Sequence, residues 1–478
     1  MSELPHDHVS PDDRLAGFQG WLGGLVALSG LLILVSARGD LWLDEIWSLA
    51  FARAVRSAGE ILLLRHDNNH PLNTLFLFLL RRQEAPLAFR ALSMASGIGS
   101  LLLIAHLALR KWGRAEALLA VALAGTSFPL MLYFSEARGY APAILCALGA
   151  CAASLAHAEA PEWKPRLAYW LLSCLGVLAH ATFVLVPLSL LAVDLVAWAR
   201  RPLPAGVRRL AALHGPPLAA FAGWYAFFLR RMELGGGPVL SRWDVVGQVC
   251  AWLFGLEGLP HGHGLSILLA CLVLLAGTLC LRREGDPAWA FFPAALLVLP
   301  AAMVAAARPE YLYFRYFIVC FPFFHLLLAR LACVLFRRAP ARWRWAVPLG
   351  IAGILAAQAP HLAALVRSGR GSYSAALEAI GAGSPQGQGG VGSDHDFRNG
   401  VLVDFYARRI PGGDRLTYVP ASSWQVRPPD WFLLHSQDPA FHPPRRIGVA
   451  GAGTFRFAVA YPFSGVSGWS WAVYRREP

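Results

Sequence analysis

Long apolar stretches recur along this chain, separated by short polar segments that are rich in arginine. A helix needs about 20 apolar residues to cross the hydrocarbon core of a bilayer. Eleven stretches predict transmembrane helices, at residues 21–37, 89–109, 115–134, 141–158, 167–180, 183–199, 210–229, 265–281, 288–307, 316–336 and 345–364. The pattern predicts a polytopic α-helical membrane protein.

Basic residues test this count, because they stay on the cytoplasmic side of short loops. With the N-terminus inside, each of five successive inner loops carries a basic cluster: Arg110, Lys111 and Arg114; Lys164 and Arg166; Arg200, Arg201, Arg208 and Arg209; Arg282 and Arg283; Arg337, Arg338, Arg342 and Arg344. Residues 1–19 are then a cytoplasmic tail and 20–364 a membrane domain. The first loop, 38–88, and the tail, 365–478, lie outside.

The composition supports this class. The chain is 56% hydrophobic and only 15% charged, which is too apolar for a soluble protein of 478 residues. Its formal charge of +13 would favour nucleic-acid binding in a soluble chain, but here most of the charge is topological, and no nucleic-acid partner is expected. Residues 1–19 are polar and acidic, so the first apolar run is predicted to be an uncleaved anchor. The eight cysteines avoid the tail and show no disulfide or zinc spacing.

The first outer loop is longer than a helix connection requires, and long ordered loops usually carry function. It opens with DLWLDEIWS, in which Asp44 and Glu45 are adjacent carboxylates. The segments IWSLAFARAVRSAGEILLL and PLNTLFLFLLRR combine helical apolar spacing with charged interruptions. They predict amphipathic helices on the membrane surface.

Between these two segments lies HDNNHPLN, residues 66–73. Pro71 is predicted to begin a helix, because its missing N–H would be unpaired in the first turn anyway. His66 and His70 are four residues apart, a spacing that would place both on one helix face toward a metal. The alternative is that they cap the helix and form hydrogen bonds at the interface.

Crossing parity places further polar side chains on the same outer side. Glu136 and Arg138 occur in YFSEARGYA, His180 in LAHATF, and Arg315 and Tyr316 in RPEYLYFRYF. Each group has a structural interpretation. Glu136 and Arg138 would form a salt bridge with a snorkelling arginine, His180 would cap a helix, and Arg315 and Tyr316 would belong to an interfacial aromatic belt. The functional interpretation is a lipid-phosphate site, because a guanidinium binds phosphate oxygens in bidentate fashion.

Two outer segments complete the pattern. In loop 230–264, VGQVCAWLFGL is predicted to be a surface-lying or re-entrant flap, with mobility from Gly235, Gly236 and Gly237. The tail is less hydrophobic and is predicted to be a small α/β domain. Its predicted helices are SYSAALEAI and FRNGVLVDFYARR, and its predicted strands are LTYV, WFLLHS, TFRFAVA and WSWAVYRR. Asp394, His395 and Asp396 form either a metal site or a solvated loop.

Four motifs in order resemble the GT-C superfamily of integral-membrane glycosyltransferases, and within it glycosyltransferase family 39. They are Asp44-Glu45 after the first helix, His70-Pro71-Leu72 at a helix entry, Glu136-Ala137-Arg138-Gly139-Tyr140 after the third helix, and Arg315-Tyr316 at a late helix. The resemblance covers roughly residues 20–330. It implies an inverting transfer from a polyprenyl-phosphate sugar to a lipid, glycan or protein acceptor, at the outer face of a bacterial inner membrane.

The resemblance also implies residue roles. Asp44 is the general base or acceptor-orienting carboxylate, Glu45 supports it or a divalent cation, and Arg138 binds donor phosphate with His70 and Arg315 nearby. The supporting residues are Glu136, Tyr140, Tyr316, His66 and His180, and the candidate metal ligands are Glu45 and Glu136. The chain departs from many relatives at Leu72-Asn73 and at Gly139, where they have Pro-Leu and Met.

Two other functions fit a membrane protein. A lipid-linked sugar flippase or transporter would need charged or broken helices near the bilayer midplane, whereas the strong charges here cluster at helix ends. A non-catalytic membrane assembly subunit would tolerate replacement of Asp44 and Glu45.

Overall fold

The computed structural model describes residues 11–200, 206–235, 239–306, 312–436, 438, 441–461 and 469–478. Its helices through the apolar region are α1 Pro11–Ser36, α2 Leu43–Ala54, α3 Pro71–Leu79, α4 Pro86–Lys111, α5 Arg114–Gly125, α6 Phe128–Phe134, α7 Tyr140–Glu159, α8 Trp163–Ala179, α9 Leu185–Arg200, α10 Gly206–Phe227, α11 Arg242–Phe254, α12 Gly262–Arg283, α13 Phe291–Pro293, α14 Leu299–Ala306, α15 Phe321–Arg338 and α16 Ala346–Ser368. A π-helical segment, Ala294–Val298, joins α13 to α14, and a 3₁₀ segment, Phe314–Cys320, precedes α15.

Each of the eleven predicted crossings falls on helical structure. In the described part of the chain, eight helices are long and apolar enough to cross a membrane, and nine if α5 and α6 form one span. Two of the predicted crossings fall outside this set: α8, with 17 residues, and α10, which contains two arginines and two prolines. The protein is a polytopic α-helical membrane protein.

The predicted single helix at 115–134 is wrong in one respect, because α5 and α6 meet at a bend of 70°. Thr126 and Ser127 lie outside both helices, so the start of α6 needs a partner for its backbone N–H groups. Gln358, which is 2% exposed, supplies one: its Oε1 accepts from Phe128 N at 3.0 Å. The same amide donates to Trp252 O at 3.0 Å. One polar side chain thus stabilises the break inside an apolar region.

The two predicted amphipathic segments of the first loop form helices α2 and α3, with a 3₁₀ segment, Ala58–Leu63, between them. The predicted flap contains α11, which begins with a capping box in which Asp244 N donates to Ser241 Oγ at 3.1 Å. Gly236 and Gly237, to which mobility was assigned, lie outside the described residues.

The chain divides into two compact units. The helical unit comprises Met1–Leu34, Leu62–Asn73 and Ala91–Ala359, and the tail unit comprises Val35–Ile61, Thr74–Arg90 and Pro360–Pro478. The tail unit contains helices α17 Tyr373–Gly383 and α18 Asp396–Ala407, and strands β1 Gly389–Ser393, β2 Leu416–Tyr418, β3 Trp431–Ser436, β4 Arg446–Val449, β5 Gly453–Tyr461 and β6 Ser470–Arg476. They form one sheet in the order β2-β1-β3-β6-β5-β4.

The predicted α/β tail is confirmed with all its predicted elements, and the structure adds β1 and β4. Strand β1 was unpredictable from propensity because GGVGS is rich in glycine, which is depleted in strands. Its pairing is parallel with β2 on one side and with β3 on the other. A Cβ at Gly392 would lie 2.8 Å from Pro429 Cγ, so close packing explains a glycine there.

Candidate functional site

The turn between α6 and α7 carries two of the predicted charged residues of the helical unit. Asn73 Nδ2 donates to Ala137 O at 2.9 Å, and Ser93 Oγ donates to Arg138 O at 3.2 Å. These bonds fix the backbone of a segment without regular secondary structure. They thereby set the directions of the Glu136 and Arg138 side chains, which are 0% and 4% exposed.

Arg138 contacts neutral groups as well as a carboxylate. Its Nη2 donates to Asn68 Oδ1 at 2.8 Å, and its Cζ lies 5.1 Å from the centre of the Tyr140 ring. The Glu136 carboxylate is farther away, with Oε1 at 4.0 Å from Nη1. The structural interpretation as a simple Glu136–Arg138 salt bridge therefore accounts for only part of the environment of this guanidinium.

Two histidines stack beside Arg138. The rings of His70 and His180 lie 5.0 Å apart at an interplanar angle of 26°, and Tyr140 is 4.5 Å from His180. His180 Nδ1 accepts the backbone N–H of Thr182 at 3.2 Å, so the neutral ring carries its proton on Nε2. The His70 ring bonds to the backbone of Ala179, and among the described residues its Nε2 has no hydrogen-bond partner.

Both histidines are kept neutral. Burial lowers the pKa of His70 well below its ordinary value, and the charges of His180, Arg138 and Arg315 lower it further. Burial, together with the same two guanidinium groups, lowers the pKa of His180 to about 3. At neutral pH the positive charge of this group therefore resides on the arginines.

Arg315 lies among aromatic rings at the beginning of the 3₁₀ segment before α15. Its Cζ is 4.4 Å from the centre of the Tyr313 ring and 5.7 Å from that of Tyr316. Tyr316 is in turn 6.1 Å from His180. The structure thus brings together Arg315, Arg138 and the histidine pair, which the sequence had placed on one side only by counting crossings.

A cavity of about 560 Å³ adjoins this cluster. Asp67, His70, His180 and Tyr316 contribute polar groups to its lining. Other lining residues are apolar, among them Trp224, Phe228, Leu229, Met232 and Leu234. A cavity with both kinds of lining suits an amphiphilic ligand with a polar head and an apolar chain.

The predicted helix face bearing His66 and His70 is wrong. Helix α3 begins at Pro71, as predicted, but after both histidines. His66 lies in a turn, where its Nδ1 accepts from Asn68 N at 3.1 Å and lies 3.0 Å from Asp67 Oδ1. The described residues contain no group of three His, Cys, Asp or Glu side chains able to hold a metal ion.

Gly139 is required by packing between α7 and the histidines. A Cβ at this position would lie 1.9 Å from Ala179 O and 2.8 Å from His70 Cβ. We therefore expect Gly139→Ala to displace His70 and to lower the thermal stability of the detergent-solubilised protein by several degrees. Gly215→Ala is the matched control, because a Cβ there meets nothing within 4 Å. Equal melting temperatures for the two variants would contradict this packing argument.

The two predicted carboxylates of the first loop belong to the tail unit. Asp44 is half-buried in the first turn of α2. Glu45 is 1% exposed, and its oxygens accept from Arg90 Nε at 2.7 Å and Nη2 at 2.6 Å. Its Oε2 also accepts from Trp42 N at 3.2 Å, which caps α2. Glu45 thus supports the helix that carries Asp44, and its pairing with Arg90 argues against the predicted cation.

Sequence analysis missed Arg90. Its guanidinium is fully buried and also donates to the carbonyls of Ala37, Gly39 and Asp40, at 2.7, 3.1 and 2.8 Å. The available signal was an arginine inside the predicted apolar crossing 89–109, where a charge needs a partner.

Comparisons with known proteins add one fold-level finding. No protein-family model matches the chain, and no curated protein matches it. The crystal structure of ArnT from Cupriavidus metallidurans in the apo state matches with a TM-score of 0.50 and 15% identity, over 96% of this chain and 99% of that chain.

Two further structures are similar at a lower level. ArnT from Cupriavidus metallidurans bound to undecaprenyl phosphate gives a TM-score of 0.48 at 15% identity, with the same coverage of each chain. The Archaeoglobus fulgidus oligosaccharyltransferase in complex with Zn and sulfate gives 0.43 at 14% identity, over 86% of this chain and 67% of that chain. The likeness to apo ArnT is a likeness of fold, and this chain therefore shares the overall membrane fold of that structure.

Proposed function

We propose that this protein is an integral-membrane glycosyltransferase that moves a sugar from a polyprenyl-phosphate donor to an acceptor hydroxyl, with inversion. The observation that carries the proposal is the cluster of Arg138, Arg315, His70 and His180 beside a cavity with polar and apolar lining. A lipid phosphate has the matching chemistry: an anionic head for the guanidinium groups and an apolar chain for the wall.

In the proposed reaction, Asp44 takes the proton of the acceptor hydroxyl. The acceptor oxygen then forms a bond to the anomeric carbon of the sugar, while the bond from that carbon to the phosphate oxygen breaks. The departing polyprenyl phosphate keeps the electron pair, and Arg138 and Arg315 stabilise its charge. We propose that this happens at the extracytoplasmic face of a bacterial inner membrane, with the N-terminus in the cytoplasm.

The test is turnover by the purified full-length protein in nanodiscs, offered a panel of polyprenyl-phosphate hexoses and pentoses. Acceptor-containing membrane extract is added, with and without a divalent cation. Release of polyprenyl phosphate with transfer of the sugar would establish the activity and identify the donor class. Donor binding without turnover of any member, under all these conditions, would instead indicate a flippase or an assembly subunit.

We expect His70 and His180 to add no pH dependence to polyprenyl-phosphate binding between about pH 8 and 6.5. In the free protein their pKa values are lowered by burial first, and then by Arg138 and Arg315. A bound anion offsets the guanidinium charges but leaves both rings buried. Both rings therefore stay neutral over this range and take up no proton when the phosphate binds.

Calorimetry with undecaprenyl phosphate, in two buffers of different ionisation enthalpy, measures proton uptake on binding directly. His180→Gln should show the same proton uptake as the wild-type protein, because the ring that it removes does not titrate in this range. Proton uptake that is present in the wild-type protein and lost in His180→Gln would contradict the expectation.

A further inference from the structure

Arg398, near the start of α18 in the tail unit, is partly buried. Its guanidinium carbon lies 3.4 Å from the centre of the Trp469 ring. Its Nη1 is inaccessible to solvent and has no hydrogen-bond partner among the residues that the structure describes. A buried N–H group without an acceptor is costly, and it favours an anionic ligand that accepts its hydrogen bond.

The surroundings of Arg398 supply ring faces and a carboxylate. Phe397, its neighbour in α18, is 65% exposed, and its ring lies 5.3 Å from that of Trp47. Trp47 follows Asp44 by three residues in α2, a spacing that places both side chains on one face of that helix. Asp44, Trp47, Phe397, Arg398 and Trp469 are called the acceptor patch below.

The charge state of Arg398 agrees with this arrangement. Burial lowers its pKa to about 10, and the neighbouring Tyr373 and Asp44 oppose that shift. The guanidinium therefore remains charged at neutral pH. The contact between Trp47 and Phe397 brings α2, which carries Asp44, beside α18, which carries Arg398.

We propose that the acceptor patch binds the sugar acceptor and that this acceptor is an acidic saccharide. A carboxylate or phosphate of the saccharide pairs with Arg398, a ring stacks on Phe397 and Trp47, and a hydroxyl lies toward Asp44. This inference rests on the proposed function, and it assigns the tail domain a part in acceptor recognition. An anionic group accepts a hydrogen bond from the buried Nη1 of Arg398 more strongly than a neutral group does, which is why the acidic class is favoured.

The test compares transfer to acceptor with hydrolysis of donor by water, both measured on the full-length protein with the donor that gives turnover. Arg398→Gln should lower the ratio of transfer to hydrolysis by on the order of 10-fold to 100-fold, through loss of a charge-assisted bond to the acceptor. Arg408→Gln is the matched control, since Arg408 is an exposed arginine at the end of the same helix.

Competition identifies the ligand chemistry. Oligosaccharides that contain glucuronic acid or a sugar phosphate should inhibit transfer by the wild-type protein and lose potency against Arg398→Gln. A neutral glucose oligosaccharide should not show this difference. Inhibition by inorganic phosphate alone, equal in potency to the acidic sugars, would overturn the saccharide assignment, because it would leave the aromatic rings without a role.

The two proposals fail in different ways. A wild-type protein that neither hydrolyses nor transfers any donor contradicts the proposed function. A protein that turns over donor, but whose Arg398→Gln variant keeps the wild-type ratio, contradicts only the acceptor patch. If Arg398→Gln does not fold, Phe397→Ala provides the same comparison, because its exposed ring contributes little to the core. An unchanged ratio in that variant would likewise overturn the patch.

Discussion

Replacing Asp44 with Asn should lower the rate of sugar transfer by on the order of 100-fold to 10,000-fold, the usual cost of losing a general base. Asn keeps the size of the side chain but cannot take a proton. Because Asp44 is only half-buried, the amide should be accommodated without loss of the fold. The measurement is the initial rate of transfer at saturating donor, with the same preparation checked for thermal unfolding.

The matched control for this variant is Asp404→Asn, which alters an exposed carboxylate on α18. It should transfer sugar at the wild-type rate. A folded Asp44→Asn protein with full activity would refute the assignment of Asp44 as the base and would show that another group takes the proton. Parallel losses of donor hydrolysis and acceptor transfer are expected, because water and acceptor both need the same base.

Replacing Arg90 with Met should destabilise the protein by about 3–5 kcal/mol, the cost of leaving one member of a buried ion pair alone. Glu45 would keep its charge in a site with no solvent access, since both side chains of this pair are 0% exposed. Three backbone carbonyls would lose their donor as well. The expected result is a large drop in melting temperature, measured in detergent or nanodiscs.

Two comparisons make this prediction specific. Arg38→Met alters an exposed arginine of the same unit and should change stability by less than about 0.5 kcal/mol. The double variant with Glu45→Leu and Arg90→Met should be more stable than Arg90→Met alone, because it removes the unpaired buried charge of Glu45 as well as Arg90. A double variant as unstable as the sum of the two single variants would show that the pair is not coupled.

The helices of this protein could be predicted because their signal is local. A stretch of about 20 apolar residues meets the bilayer requirement wherever it lies in the chain. Pro71 likewise marks a helix start through its own missing N–H. Counting crossings predicted one common side of the membrane for the motifs with Arg138 and Arg315, a property of residue order rather than of contacts.

Partners far apart in sequence could not be predicted. Gln358 stabilises the break before α6 from 230 residues away, and Arg90 binds Glu45 from 45 residues away. In each case the sequence shows one isolated polar residue, and only folding determines which buried group it meets. The same limit explains why Arg90 was not recognised as the partner of Glu45 and why Arg398 was not singled out.

Sequence alone thus determined the class of this protein and the positions of its apolar helices, and it predicted the residue types of the candidate site, because these follow from local composition and spacing. The tertiary structure decided that His70 stacks on His180 rather than pairing with His66, that Gly139 must lack a side chain, and that Arg398 lies beside a Trp ring. The physical reason is that burial and hydrogen-bond pairing depend on which distant segments come into contact.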